Sequence, residues 1–281
     1  MDLPPAGPFD RLERFYDAVP RDTARAEDHG TLVLFVPNGA GWPLYARPRL
    51  DATGPPSLAD VATVRERQRA LGLPEAFEWV HESTPELLAV ARSAGLSVLQ
   101  APLMVLDPSA LPDPGTLTDV PLRLLDAAAP GFAADVAARR AVAAVGFAAA
   151  GTAPGAAGPA QRDAALAELD EAALDEERTR VADGRRLSVL AVTPTEGALA
   201  SGMAMRVGDV AEIAGVATLP AARRRGLGAA VTATLARELL AAGTDLIFLS
   251  AGSVDIARVY LRVGFRRVGT ACIAEPAPVT P

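Results

Sequence analysis

The chain has 281 residues, half of them apolar, and a formal net charge of -7. That length has room for two domains of ordinary size, and the acidic balance argues against a nucleic-acid partner, which would need a basic face. A single cysteine, Cys272, excludes an intrachain disulfide, and with only two histidines in the chain a histidine/cysteine metal site is excluded too.

No apolar run reaches the roughly 18 residues of a membrane span, and Met1–Arg14 lacks the basic-then-apolar layout of a signal peptide. A reducing cytoplasm is the expected setting, with no membrane partner. All 27 basic residues are arginine, which together with the abundant Ala, Pro and Gly reads as the codon drift of a GC-rich genome.

In chain order, Phe9–Ala18 spaces its apolar residues for one helical face. Thr31–Val36 reads as a buried strand, Pro37–Gly41 as a turn and Trp42–Ala46 as the returning strand. Ser57–Leu71 is a capped helix with Pro74 beyond its end. Strand Glu75–Val80, helix Pro85–Ala94 and strand Leu96–Leu106, broken by Pro102, follow. Asp107–Asp119, rich in Pro, Asp and Thr, reads as a linker. The expected domains are therefore 1–115 and 116–281.

After the linker, Val120–Leu124 predicts a strand and Phe132–Ala149 an alanine-rich helix. Gly151–Pro159 is low in complexity, and Ala160–Ala182 predicts one long charged helix. Strands follow at Leu187–Val192, Ala198–Val207 and Val210–Leu219, then helix Leu227–Ala242 and strand Asp245–Ser250. Helix Val254–Val263 and strands over Phe265–Ala274 finish the chain. This order gives an α/β fold with a mixed sheet, not a doubly wound one.

The strongest local signal is Arg223-Arg224-Arg225-Gly226-Leu227-Gly228-Ala229, set after an apolar strand and opening a helix. Backbone N–H groups at a helix start lack intrahelical partners and sit at the positive end of the helix dipole. A phosphate placed there accepts several hydrogen bonds, and Gly226 and Gly228 would let it approach the backbone. A P-loop would need Lys then Ser or Thr after the last glycine, where Ala229 and Ala230 stand. A dinucleotide loop would need a third glycine where Val231 stands. A tight strand-to-helix turn with a solvated arginine cluster is the plainer reading of the same residues.

The pattern Arg-x-x-Gly-x-Gly, after a strand and before an alanine-rich helix, resembles the pyrophosphate loop of the GNAT superfamily of N-acetyltransferases. Val216-Ala217-Thr218-Leu219-Pro220 resembles that family's fourth strand and its usual proline. Ser253–Phe265 resembles its second motif, a helix carrying a tyrosine and ending in Gly-Phe. The resemblance covers about the last 155 residues. It implies a sheet splayed between the fourth and fifth strands, with acetyl-CoA as donor and no metal. The implied cofactor contacts are Val216, Ala217, Thr218, the segment Arg223–Ala229 and Ser253, where many members carry asparagine.

The first half repeats the same order of elements, Glu75–Leu106 matching the layout of Asp245–Ala274. It lacks the Gly-x-Gly pair, and Pro55 and Pro56 remove two N–H donors. It is therefore expected to be a degenerate GNAT-like copy without a cofactor site. His81 and Glu82, at a strand end, could touch a substrate or simply close a structural strand.

Acetyl transfer to an amine needs a base, since a lysine-like amine has a pKa of about 10.4. Glu212, in an otherwise apolar strand near the expected splay, is the candidate base; a strand-edge glutamate facing solvent or pairing with an arginine is the alternative. Tyr260 is the candidate acid for the departing thiolate, against a core tyrosine. The expected acceptor is an unidentified small-molecule or peptide amine, and a homodimer is left open. A non-catalytic acyl-CoA-binding sensor would need the Arg223–Gly228 loop but neither Glu212 nor Tyr260.

Overall fold

Helix α1 (Pro8–Arg21) opens the computed structural model, which describes residues 7–38, 44–167 and 169–277. The chain divides into two compact units, Met1–Leu103 with Val268–Pro281, and Met104–Arg267. The sequence places its break near residue 115, whereas the packing breaks at 103/104 and returns the last residues to the first unit.

In the first unit, α1 buries Leu12, Phe15 and Tyr16 at i, i+3 and i+4, the spacing of one helical face. Strand β1 (Ala24–His29) pairs antiparallel with β2 (Leu32–Pro37). Nothing in the sequence announces β1, because ARAEDH is mostly polar; it lies at the end of the strand order, where only one neighbour must be satisfied. Strand β3 (Ala46–Pro48) returns against β2, shifted from the expected Trp42–Ala46, of which Trp42 and Pro43 lie outside the described residues, as do 39–41 of the expected turn. Helix α2 (Leu58–Ala70), β4 (Phe77–Val80) and α3 (Glu86–Ser93) stand close to their expected bounds.

Strand β5 (Leu96–Leu106) runs unbroken through Pro102, a correction to the sequence reading. The chain's last strand, β11 (Phe265–Pro276), pairs antiparallel with β4, so the first unit's order is β1-β2-β3-β4-β11-β5. Its core is built from Leu32, Leu34, Val61, Val64, Phe77, Trp79 and Leu87.

The second unit begins with two short 3-10 turns, Pro108–Ala110 and Pro114–Thr116, each started by an aspartate that accepts a backbone N–H. Then come β6 (Leu122–Leu124), α4 (Phe132–Ala148), β7 (Arg186–Thr193), β8 (Gly197–Val207), β9 (Val210–Thr218), α7 (Leu227–Ala241), β10 (Leu246–Ser250) and α8 (Val254–Leu261). The expected single helix 160–182 is two, α5 (Pro159–Ala164) and α6 (Glu171–Ala182). Two contacts account for the break. Asp170 caps a new helix by accepting from Ala172 N at 3.1 Å. Arg162 is tied to the carbonyls of Glu196 and Ala198, each at 2.6 Å.

Strands β6 to β9 form an antiparallel run and β10 joins β9 in parallel, in the order β10-β9-β8-β7-β6. This is the mixed α/β sheet expected. Helix α7 contributes Leu227, Val231, Leu235 and Leu239 to the core, and α4 contributes Phe132, Val136 and Val142.

Candidate functional site

Strand β9 leaves one neighbour halfway along. Its parallel register with β10 runs through Val210–Leu246, Ala211–Ile247 and Glu212–Phe248. Beyond that rung β9 continues over Ile213–Thr218, while β10 has only Leu249 and Ser250 left. The two strands therefore diverge after Glu212, where the sequence expects a splay. On its other side β9 stays paired with β8 as far as Thr218.

That second pairing carries a bulge: Ser201 faces Ala217 and Met203 faces Ala214, so Gly215 and Val216 together oppose Gly202. Gly215 has φ +62°, the left-handed conformation that a glycine adopts without penalty at such a bulge. A bulge disrupts the ladder locally and turns backbone groups away from their regular partner. Ala214, Gly215, Val216 and Thr218 are half-buried, whereas Ala217 is buried.

A 3-10 turn, Pro220–Ala222, carries β9 into the arginine-glycine loop and α7. Gly226 is the N-cap of α7, with φ +76°, and no side chain caps the helix. The N–H groups of Leu227, Gly228 and Ala229 thus stand at an uncapped helix start, which favours an anion. Arg224 is also left-handed, at φ 68°, the one such non-glycine residue among those described.

The two glycines do different work. A Cβ on Gly226 would collide with the backbone carbonyl of Leu117, so packing alone demands glycine there. A Cβ on Gly228 would meet the Thr218 hydroxyl at 3.5 Å and Val216 Cγ1 at 3.9 Å, both ordinary contacts. Packing does not require Gly228.

Among the three arginines, Arg223 has a job inside the fold. Its guanidinium donates to the carbonyls of Gly146 at 2.8 Å, Ala149 at 2.6 Å and Ala153 at 3.0 Å, closing the C-terminal end of α4. Arg225 stands 3.7 Å from the Glu196 carboxylate, and Arg224 is exposed. Positive charge beside the start of α7 therefore rests with Arg224 and Arg225.

Glu212, half-buried, sits on the last rung before the strands part, between Met205 on β8 and Phe248 on β10. Tyr260 on α8 is only 8% exposed and packs edge-to-face on Phe265, ring centres 6.2 Å apart. Burial pushes its hydroxyl up to about 12, so the phenol keeps its proton at neutral pH. Ser253 caps α8 by accepting from Ile256 N at 3.2 Å, which accounts for a serine at that position.

The sequence reading passes over a buried charge cluster in the same unit. Arg139 on α4 donates to Glu177 on α6 at 3.1 Å, and Arg186 on β7 stands 3.2 Å from the other oxygen of that carboxylate. Both guanidiniums also reach the Met203 sulfur, at 3.2 and 3.4 Å. The signal was visible: Arg139 interrupts the buried stripe Phe132, Val136, Val142 of α4. Among the described residues no group of three His, Cys, Asp or Glu could hold a metal ion, and no helix is long and apolar enough to cross a membrane.

In the first unit, the start of α2 is already occupied. Ser57 Oγ accepts from Asp60 N at 3.1 Å, and the Asp60 carboxylate accepts from Ser57 N at 2.9 Å and from Thr31 Oγ1 at 3.0 Å. Glu82 accepts from Thr270 N at 2.9 Å, tying the end of β4 to β11.

A mixed sheet whose two central strands part beside a bulge, with a helix start at the mouth of the gap, defines the GNAT fold. Residues 192–273, which carry these features, match the family model described as FR47-like protein. A GCN5-related N-acetyltransferase from Kribbella flavida is similar over 96% of both chains, at 24% identity and TM-score 0.66. A GNAT-family protein from Novosphingobium aromaticivorans is similar over 93% of this chain and 94% of its own, at 20% identity and TM-score 0.53. A tandem GNAT protein from the clavulanic acid biosynthesis pathway is similar over 89% of this chain and 79% of its own, at 17% identity and TM-score 0.50. No curated protein matches the chain significantly. The chain shares the fold of these GNAT structures, and its residues 192–273 resemble the FR47-like family.

Proposed function

We propose that the chain is an acetyl-CoA-dependent N-acetyltransferase acting on a small-molecule or peptide amine. The observation that carries this reading is the juxtaposition of the uncapped start of α7 with the strand β9 that diverges from β10 after Glu212. The helix start and the arginines Arg224 and Arg225 suit a pyrophosphate. The absence of a side chain at Gly228, which packing does not require, keeps the approach open. The stretch Val216–Thr218, with no β10 partner in the register, suits a pantetheine arm lying along the strand.

The donor supplies an activated acetyl thioester; the protein's groups handle protons and charge. Glu212 takes the proton of the attacking amine, directly or through water, as the nitrogen bonds to the acyl carbon. A backbone N–H of the Gly215–Val216 bulge faces the developing oxyanion. The carbon–sulfur bond breaks, and Tyr260, still protonated, hydrogen-bonds or protonates the leaving thiolate. The first unit has lost its own cofactor site, because the Asp60 carboxylate holds the place at α2 that an anion would take.

The burial of Tyr260 favours a second reading, a non-catalytic acyl-CoA-binding protein: at 8% exposure on Phe265, the phenol is equally a core residue. Thiol release from acetyl-CoA, assayed across a panel of amines alongside calorimetric CoA binding, separates the two. Binding with transfer to some amine supports the enzyme, binding with no transfer supports the sensor, and no binding overturns both.

A further inference from the structure

Two guanidiniums share one carboxylate at the centre of the second unit. The side chains of Arg139, Glu177 and Arg186 are 10%, 7% and 14% exposed. Glu177 alone cannot neutralise two arginines; Glu176 also acts on Arg186, but Arg140 adds its field to both and Arg180 to Arg186, so the cluster keeps a surplus of positive charge. Nor can one carboxylate satisfy all the donors: each guanidinium brings five N–H groups. The Nε atoms of Arg139 and Arg186 are buried with no hydrogen-bond partner. Each arginine also points an N–H at the Met203 thioether, a weak acceptor. Burial of this unbalanced charge lowers both arginines from their ordinary value, Arg139 to about 10.

The position of the cluster suggests an occupant. Met203 is the strand residue just past the Gly202 side of the bulge, and its Cγ lies 3.6 Å from where a Cβ on Gly215 would stand. One methionine side chain therefore spans from the bulge to both guanidiniums. We propose that Arg139 and Arg186 bind a carboxylate on the acceptor, so that the substrate is an amine carrying a carboxylate a few bonds away, of the amino-acid type. A carboxylate's two oxygens suit paired guanidiniums, which favour planar, two-pronged acceptors. Arg186, the more exposed of the two, is the side from which the anion enters. This rests on the acetyltransferase reading for the word substrate, but the anion site stands on its own geometry.

The test uses the full chain and matched probes. In the first arm, a mixture of free amino acids and a mixture of their carboxamides are compared as acceptors by thiol release. We expect the free acids to be preferred at least tenfold in kcat/KM, with the preference lost in Arg186→Gln and partly kept in Arg186→Lys. Equal use of both, or preference for the amides, overturns the proposal. In the second arm, N-acetyl amino acids and their carboxamides are titrated into the CoA-loaded protein by calorimetry. If no amine is acetylated, this arm decides. Tighter binding of the acids, abolished by Arg186→Gln, upholds the anion site while the transfer reading fails; equal or absent binding overturns the site. Glu177→Gln separates binding from mere structure. Removing the competing carboxylate should tighten acid binding several-fold, whereas a purely structural link would show only a lower Tm.

Discussion

The backbone carbonyl of Leu117 occupies the space into which a Cβ on Gly226 would project. The glycine that opens α7 is thus fixed by the packing of an earlier loop, and by its own φ of +76°. Gly228, two residues on, meets nothing closer than 3.5 Å. The two positions should separate stability from binding. Gly226→Ala is expected to cost more than the about 1–2 kcal/mol of left-handed backbone alone, because Leu117 must also move. Gly228→Val should keep its melting temperature and lose at least tenfold in CoA affinity. Calorimetry showing unchanged affinity in folded Gly228→Val would remove the central claim about the loop.

One CoA should bind per chain. The Asp60 carboxylate is held at the start of α2 by Ser57 and Thr31, and although burial works against it, those hydrogen bonds keep the carboxyl below its usual value. A second anion there meets a fixed negative charge. A calorimetric stoichiometry of two would sink the degenerate-copy reading.

Glu212→Gln should lower turnover by about 10²–10⁴, the usual worth of a positioned base. The deficit should shrink at high pH, where more of the amine is already neutral. Wild-type turnover at neutral pH in this variant would make Glu212 a structural residue at the end of the β9–β10 register.

Tyr260→Phe keeps the ring against Phe265 and removes the hydroxyl. Turnover should fall at least tenfold, about 1.4 kcal/mol of barrier. Because burial raises the phenol to about 12, the wild-type rate should show no loss of this proton up to pH 10. A lower Tm with unaltered turnover would assign the hydroxyl to the core.

Stability should fall between about pH 4.5 and 7 through Glu78. Burial, aided by Glu275 and opposed by Arg47, pushes its carboxyl up from 4.5 to about 7. In that window the folded chain binds more protons than the unfolded one, so the contribution is fully present below 4.5 and lost as pH rises through 7. Glu78→Gln should remove this slope and raise Tm at pH 8 relative to wild type. An unchanged Tm-against-pH curve would show that Glu78 carries none of it.

The elements with strong local signatures were legible in the amino-acid order. Helix α2 announces itself by Ser57 and the residues it caps, α7 by its apolar content after Gly226, and the antiparallel run β7–β9 by short turns between apolar strands. The glycine-rich start of α7 was legible for the same reason, since it is a local feature. Strand β1 was not, because a polar edge strand takes its stability from the neighbouring chain it pairs with. The break between α5 and α6 was not, because Arg162 reaches carbonyls of Glu196 and Ala198, more than thirty residues away at the start of β8.

Long-range packing also divided roles that adjacent letters could not. Arg223 and Arg224 are neighbours, yet one closes the end of α4 and the other is exposed. Gly226 and Gly228 look alike in sequence, and the Leu117 carbonyl and the left-handed backbone at Gly226 distinguish them. Arg139, Glu177 and Arg186 come from three elements and meet only when α4, α6 and β7 pack together. Local periodicity and capping act over a few residues and can be read directly. Which charges share a buried space depends on contacts that the linear order does not contain, and the tertiary structure alone decided them.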